Sequence, residues 1–356
     1  MKTNHNYFLK LAFNLAKINL GKTSFNPSVG CVVVKNNSVI SSGYTAIKGR
    51  PHAEFNALSF KKNFRNSDLY VTMEPCTHYG VTPPCTNLIS KKGIKRVFFS
   101  FNDKDKRTAK KSKEKLSKKK IKVYKKSNKD FKDFYQSYFL TKKNTIPFVD
   151  AKIATSKDYL TINKRSKWIT NSQSRNRAHL IRSEYDAIIS TSKSINNDNS
   201  LLNCRLRGFD NNRPDVVIID LNLKIKKGLN IFKKIGKRKI SIVTSVSKGK
   251  KIFYLKKRGI KIISIKSLDS KNDFINLFKI LKKYAYNRIL IESGLIFLEK
   301  LIKNKLIFNL YMFKSSTSLG NNGKNNISSN FIKKLKLKKK INVNLYGDEL
   351  FKIKIK

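Results

Sequence analysis

The chain has 356 residues, more than one ordinary domain, and its 40% hydrophobic content supplies apolar material for folded cores, which excludes disorder throughout. A net charge of +56 raises nucleic acid or an anionic membrane as a partner. The excess is nearly all Lys and is dispersed, with runs at 110–126, 248–258 and 333–340, so it singles out no binding face and nucleic acid is disfavoured.

Four cysteines, Cys31, Cys76, Cys85 and Cys204, are too few and too unevenly placed for a disulfide framework. The polar start over residues 1–7 shows no secretory signal, and no apolar run approaches the roughly 18 residues of a membrane span. A cytoplasmic protein without a membrane partner is expected.

In chain order, Phe8, Leu11, Ala12 and Leu15 recur at helical spacing and predict an opening amphipathic helix. Residues 30–34 and 39–44 read as two strands joined by a turn at Asn36-Asn37. A helix is expected from His52, a strand at 69–72, and a second helix after Pro83-Pro84, where proline suits a helix start. Strands follow at 96–101 and 121–124. A helix-like stretch at 131–140 precedes a boundary at Ile146-Pro147, giving two domains, 1–145 and 146–356. The second opens a new series, with strands at 148–154, 187–191, 216–220, 240–244, 262–265, 288–291 and 307–313. Helices fall between them at 172–184 and 273–284. Phe274, Leu277, Phe278 and Leu281 share one face of the latter and read as core. The alternation is that of an α/β protein.

The sharpest chemical signal is His52-Ala53-Glu54, followed by Pro75-Cys76 and then Cys85. One imidazole and two thiolates are the ligand set of a catalytic zinc that keeps its fourth position for water. Bound zinc lowers that water's pKa toward neutrality and so makes a hydroxide nucleophile. Glu54, near the expected helix start, is placed to shuttle protons without ligating. Helix starts at the cysteines would favour their thiolates. Each piece alone is weak, a surface histidine or stray thiols. Together, in this order, they are the mark of zinc deaminases that act on nucleobase rings. Eight residues, 77–84, separate Cys76 from Cys85, where the general deaminase pattern has two. Cys31, inside an apolar strand, reads as a small buried hydrophobe, and Cys204 has no assigned role.

The second half announces no chemistry by itself. No G-x-G-x-x-G follows a strand, so a Rossmann cofactor site is not indicated. Ser293-Gly294 either lets backbone approach a phosphate or forms an ordinary strand-to-helix turn. Lys152 is a ligand contact or a solvated lysine, and Trp168, the single tryptophan, reads most simply as core. Arg182 and Arg205 suit a phosphate clamp, although on the residues alone surface ion pairs are simpler. Asp198 bonds a ligand hydroxyl or caps a turn.

Asn26-Pro27-Ser28-Val29-Gly30-Cys31, Pro51-His52-Ala53-Glu54 and the run from Glu74-Pro75-Cys76-Thr77 to Thr82-Pro83-Pro84-Cys85 resemble the bifunctional deaminase–reductases of riboflavin biosynthesis. Lys152-Ile153-Ala154-Thr155-Ser156, Trp168-Ile169-Thr170, Ala187-Ile188-Ile189 and Glu292-Ser293-Gly294 continue the likeness, which covers nearly the whole chain. The resemblance implies a cytidine-deaminase-like α/β/α N-terminal domain and a dihydrofolate-reductase-like C-terminal domain. It implies a small-molecule substrate, a diaminopyrimidinone carrying ribosyl phosphate, which is deaminated hydrolytically. NADPH then reduces the ribosyl unit to ribityl. It places zinc on His52, Cys76 and Cys85, with Glu54 as acid/base. Thr155, Trp168, Ser194, Asp198 and Gly294 would contact NADPH, and Ser166, Arg182, Leu202, Arg205 and Glu292 the substrate.

Three stretches depart from the family pattern. Asn102-Asp103-Lys104-Asp105-Lys106 replaces Asp-Pro-Asn-Pro and loses the rigidity of two prolines. Ser156-Lys157-Asp158-Tyr159 replaces Ser-Leu-Asp-Gly, and Asp198-Asn199-Ser200 replaces Asp-Asp-Pro. A second reading is a zinc deaminase of RNA or another nucleobase substrate with a degenerate reductase half. The widened cysteine spacing and the large second domain stand against it. Homo-oligomerisation stays open.

Overall fold

The computed structural model describes residues 4–127, 131, 133–143, 145–209, 214–327, 330–335, 337 and 339–356. Residues 1–3 of the polar start, 132 of the expected helical stretch, and 336 and 338 of the last basic run lie outside them. The chain divides into two compact units, Met1–Thr145 and Ile146–Lys356. Among the described residues, no helix is long and apolar enough to cross a membrane.

The first unit runs α1 (His5–Lys17), β1 (Gly30–Lys35), β2 (Ser38–Tyr44), α2 (Ala53–Leu58), β3 (Asp68–Met73), α3 (Cys85–Lys91), β4 (Arg96–Phe101), α4 (Ser112–Ser117), β5 (Lys122–Lys125) and α5 (Gln136–Lys143). Its sheet has the order β2-β1-β3-β4-β5. Strand β1 is antiparallel to both neighbours, whereas β3, β4 and β5 are parallel. Asn36 and Asn37 both take left-handed φ, 51° and 63°, the pair that a tight hairpin needs to match the strand twist.

Alternate side chains face opposite layers. Cys31, Val33, Val71 and Val97 pack with Ala53, Ala57 and Ile89 of α2 and α3. Val32, Val34, Tyr70 and Phe98 pack with Phe8, Leu9 and Ala12 of α1. A sheet buried on both faces reads as unbroken apolar runs, which is the pattern of residues 30–34. The stretch expected to be helical from residue 131 becomes α5 only at Gln136; before it, Phe131 stacks on Phe13 with ring centroids 4.0 Å apart.

The second unit contains β6 (Phe148–Thr155), β7 (Ile162–Asn163), α6 (Ser172–Arg182), β8 (Ala187–Thr191), α7 (Ser192–Asp198), β9 (Asp215–Ile219), β10 (Ile240–Thr244), α8 (Lys250–Lys257), β11 (Lys261–Ser264), α9 (Lys271–Lys283), β12 (Arg288–Ile291), α10 (Leu295–Lys303), β13 (Asn309–Lys314), β14 (Gly323–Lys324), α11 (Asn330–Lys333) and β15 (Glu349–Lys354). Eight strands form one sheet in the order β11-β10-β9-β8-β12-β6-β13-β15. Within this sheet β15 pairs antiparallel, at the edge, and the other named strands pair parallel. Ile189, Val217, Val243 and Ile291 face the layer of α9 and α10, with Phe274, Leu277, Phe278 and Leu281 as expected. Ile188, Val216, Ile218, Ile242 and Leu290 face the other. A Ser270/Asp273 capping box starts α9. Helix α8 was hidden in a basic run, where lysines dilute the spacing of its buried Ile252 and Leu255.

Helix α2, which carries Glu54 and follows His52, lies directly on β2. A Cβ at Gly43 would stand 2.5 Å from Ala57 N and 2.6 Å from Ala53 O, so only glycine permits this approach. Gly43→Ala is expected to cost about 1–3 kcal/mol through overpacking, read by chemical denaturation. An unchanged midpoint would show that the helix is not seated on this glycine.

Candidate functional site

His52 is the residue before α2, Cys76 follows β3, and Cys85 is the first residue of α3. Their ligand atoms all lie within 4.8 Å of one another. His52 Nδ1 stands 3.6 Å from Cys76 Sγ and 3.5 Å from Cys85 Sγ. A tetrahedral zinc, with bonds of about 2.0–2.1 Å to nitrogen and 2.3 Å to sulfur, separates such ligands by about 3.6 Å. The donor set fits the ion in both chemistry and spacing. The structure corrects one expectation, since only Cys85 begins a helix. Cys76 lies in the preceding irregular segment, where Cys85 N–H donates to its sulfur at 3.2 Å. The hydrogen bond from the Cys85 thiol, with His52, draws the Cys76 thiol far below its ordinary value. The same pairing, together with burial, pushes Cys85 up.

Glu54 is buried in the first turn of α2 and is not part of the ligand cluster. Burial, and then the charge of Cys76, push its carboxyl up to about 7. Asn26, Arg50, His78, Asp103, Tyr138 and Lys142 line the pocket in front of it, with His52 and Cys76. Of these, Asn26 and His78 stood in motifs picked out from the sequence, and Asp103 in the stretch that departs from the family pattern. Tyr138 and Lys142 sit on α5, where nothing but helical spacing was legible. The segment that replaces the proline-containing loop is braced locally by its own side chains. Asp105 accepts from Arg107 N at 3.0 Å, Nε at 2.9 Å and Nη2 at 2.7 Å.

In the second unit, Arg182 ends α6 and Glu292 directly follows β12. They form a bidentate pair at 2.5 and 2.9 Å, with Lys152 Nζ 3.7 Å from Glu292 Oε2. The Arg182 and Glu292 side chains are only 13% and 8% exposed, so the simpler reading of a surface ion pair is corrected for Arg182. Burial alone would raise the Glu292 carboxyl, but the charge and hydrogen bonds of Arg182 outweigh it and hold the group at about 2. His179 Nδ1 lies 2.7 Å from the Asn203 carbonyl, which also accepts from Arg182 Nη1 at 3.2 Å. Burial, and then Arg182, lower His179 to about 4, so its ring is neutral at physiological pH. Arg205 donates to the Asn203 side chain at 2.8 Å. The Leu202 side chain is buried in the core at φ 51° and its carbonyl accepts from Arg238 Nη1 at 2.8 Å, so a ligand could meet this residue only through its amide.

Thr155, Thr191 and Ile291 end parallel strands β6, β8 and β12, so Thr155, Ser194, Glu292 and Gly294 gather at one sheet edge. Ligands of open α/β sheets bind at that carboxyl edge. Gly294 N donates to Ser194 Oγ at 3.2 Å. Thr155 is fully buried, and its Oγ1 has no hydrogen-bond partner among the described residues. Asp198 closes α7, but the left-handed cap is Asn199, so Asp198 is not the capping residue. Trp168, read as core on residues alone, is 49% exposed, with the Arg175 guanidinium 4.5 Å from its ring centroid. Ser166 and Trp168 lie between β7 and α6, and Ser166 Oγ accepts from Trp168 N at 3.1 Å. At the family's glycine position Tyr159 keeps a left-handed φ of 66°, a conformation that costs a non-glycine residue roughly 1–2 kcal/mol. Asn325 Nδ2 holds its carbonyl at 2.9 Å.

The family model for the cytidine and deoxycytidylate deaminase zinc-binding region matches residues 2–101, and that for the RibD C-terminal domain matches 147–347. The riboflavin biosynthesis protein RibD of Buchnera aphidicola is 33% identical, over 89% of this chain and 88% of its own length. Its namesake from Aquifex aeolicus is 30% identical, over 88% and 87%. The structure of Acinetobacter baumannii RibD superposes with a TM-score of 0.82 at 26% identity, over 99% of both chains. The structure of a diaminohydroxyphosphoribosylaminopyrimidine deaminase/5-amino-6-(5-phosphoribosylamino)uracil reductase from Thermotoga maritima gives 0.83 at 25% identity, also over 99% of both. The two halves are accordingly a cytidine-deaminase-like domain and a reductase domain.

Glu292→Gln strands Arg182 and Lys152 in the interior, with an expected loss of about 3–5 kcal/mol in denaturation at neutral pH. The folded-state value of Glu292 is about 2 against an ordinary 4.5, so its stabilisation is complete above that ordinary value. It is lost as pH falls through the folded value. The variant should flatten the slope of stability between pH 4.5 and about 2; an unchanged slope would assign the acid sensitivity elsewhere.

Proposed function

The chain belongs to the RibD family of riboflavin biosynthesis and is a bifunctional enzyme, a zinc-dependent deaminase joined to an NADPH-dependent reductase; from that premise we propose which residues do the work and on what. The substrate is the phosphoribosylated diaminopyrimidine named for the Thermotoga maritima relative, followed by its deaminated aminouracil product. The observation that carries the deaminase assignment is the 3.5–3.6 Å spacing of His52 from two sulfurs beside a buried carboxyl.

His52 Nδ1, Cys76 Sγ and Cys85 Sγ hold the ion. Bound zinc supplies a Lewis acid that brings the pKa of a water near neutrality. Glu54 does the proton work. Buried beside the three ligand side chains, its carboxyl can take up a proton and pass it to the departing amino nitrogen. Burial on α2 keeps bulk water from short-circuiting that transfer.

In the reductase, NADPH supplies the hydride. Thr155, Trp168, Ser194, Asp198 and Gly294 hold the cofactor, and the contact of Gly294 N with Ser194 Oγ at the carboxyl edge of the sheet supports that assignment. Ser166, Arg182, the backbone at Leu202, Arg205 and Glu292 hold the substrate. Arg182, Arg205 and Lys152 outnumber the Glu292 and Asp198 carboxylates, and that positive excess suits a phosphorylated ligand. The alternative of an RNA deaminase with a degenerate second half is not favoured, because the reductase-domain match spans 147–347.

Glu54→Gln is expected to retain one zinc per chain and to lose about 10²–10⁴-fold in ammonia release, the contribution of a general acid–base group. Metal analysis and ammonia release measure the two. NADPH oxidation on supplied deaminated intermediate should continue at the wild-type rate. Undiminished ammonia release would remove Glu54 from its role.

A further inference from the structure

Glu74 sits between the end of β3 and the zinc-ligand segment, two residues before Cys76, and is 4% exposed. Its carboxylate is surrounded by donors from a single stretch of chain, residues 102–112. Oε2 accepts from Asn102 Nδ2 at 3.1 Å, Asp103 N at 3.2 Å and Lys110 N at 3.0 Å. Oε1 accepts from Ser112 N at 3.1 Å and Ser112 Oγ at 3.0 Å.

By itself that stretch is tied only at short range, from Asp103 to Asp105 and from Asp105 to Arg107. It contains no proline, is irregular up to the start of α4, and sets Lys104, Lys106, Arg107, Lys110 and Lys111 against Asp103 and Asp105. Lys110 is held at a left-handed φ of 62°, a conformation that its bond to Glu74 helps to fix. The same stretch provides Asp103, Asp105 and Arg107 to the wall of the pocket that His52, Glu54 and Cys76 share. A second tie meets it from the far side, where Tyr138 Oη donates to Asp103 Oδ1 at 2.9 Å.

We propose that Glu74 is a positioning residue of the deaminase. Its buried carboxylate gathers residues 102–112 into the substrate-facing wall and keeps that wall in register with the metal ligands, while Tyr138 fixes the Asp103 carboxylate within it. Carboxylate acceptors inside a protein are strong and geometrically demanding, so five donors converging on one group define the path of the segment. The inference rests on the deaminase reading of this pocket. It assigns Glu74 no contact with the reacting atoms. Its effect runs through the wall, which binds substrate, and so it should appear in KM more than in kcat.

The experiment compares Glu74→Gln and Tyr138→Phe with wild type in the full chain, measuring zinc content, ammonia-release kinetics and NADPH oxidation on supplied intermediate. The amide of Gln turns an N–H₂ toward donors that need an acceptor. Glu74→Gln is expected to raise KM about tenfold or more, with kcat within about threefold, zinc retained and reductase turnover unchanged. Tyr138→Phe should shift KM the same way by a smaller factor. Unchanged KM in Glu74→Gln with zinc intact overturns the proposal, as does a fall in kcat matched by loss of zinc, which would place its action on the metal. Should Glu74→Gln fail to fold, Tyr138→Phe decides, and a wild-type KM there overturns it. If the wild-type chain itself releases no ammonia from the ribosylated pyrimidine, the deaminase reading fails instead.

Discussion

A four-coordinate zinc asks for an imidazole and two sulfurs about 3.6 Å apart, and here the three come from different elements. His52 is supplied by the chain entering α2, Cys76 by the chain leaving β3, and Cys85 by the first turn of α3. None of these positions is adjustable in isolation. Helix α2 is fixed by its contact with Gly43 of β2. The Cys76 carbonyl accepts both the Thr86 amide and the Thr86 hydroxyl at 3.2 Å, which pins the loop sulfur to the helix that carries the second one. The parallel arrangement of β3 and β4 brings residues 102–112 to the same sheet edge, where Glu74 collects them. Sheet order therefore comes first, and the ligand spacing, the buried acid and the pocket wall are all consequences of it.

The reductase half handles charge differently. In the first unit the ionisable groups face a metal position and a pocket. In the second, a carboxylate is sunk among cations, Arg182 bidentate and Lys152 further off. Buried ion pairs are poor sources of net stability and strong enforcers of geometry once built, because either partner alone is intolerable in the interior. Glu292 thus fixes the end of α6 relative to the end of β12 and leaves a surplus of positive charge at the edge where a phosphorylated ligand would lie.

The legible parts of the sequence were those whose chemistry is carried by residue type within a short span. His52, Glu54, Cys76 and Cys85 qualify, and so do the apolar runs of strands buried on both faces and the Asn36-Asn37 turn. What stayed hidden was carried by partners distant in sequence or by backbone. Arg182 and Glu292 lie 110 positions apart, and nothing local says that they meet. Glu74 could be quoted inside a motif, yet its partners are mostly main-chain amides, which every residue has. Trp168 misled because a lone tryptophan is normally core, whereas here Arg175 covers one face of an exposed ring. The two-residue strands β7 and β14 and the edge strand β15 were missed because their pairing is tertiary, without enough local pattern. Tyr159 shows the limit of composition rules, since a turn that elsewhere uses glycine persists with a bulky residue held by Asn325.

The position of Cys85 has a consequence for biosynthesis. It is at once a proposed ligand and the residue on which α3 begins, and its amide is directed at the other sulfur, so a bound ion would tie the start of that helix to the preceding loop. All three ligands lie between residues 52 and 85, and the unit that contains them is complete by residue 145. As the nascent chain leaves the ribosome, the whole ligand set is available before the first strand of the following unit has been translated. The proposed ion site is thus encoded wholly within the first unit, ahead of the second in the order of synthesis.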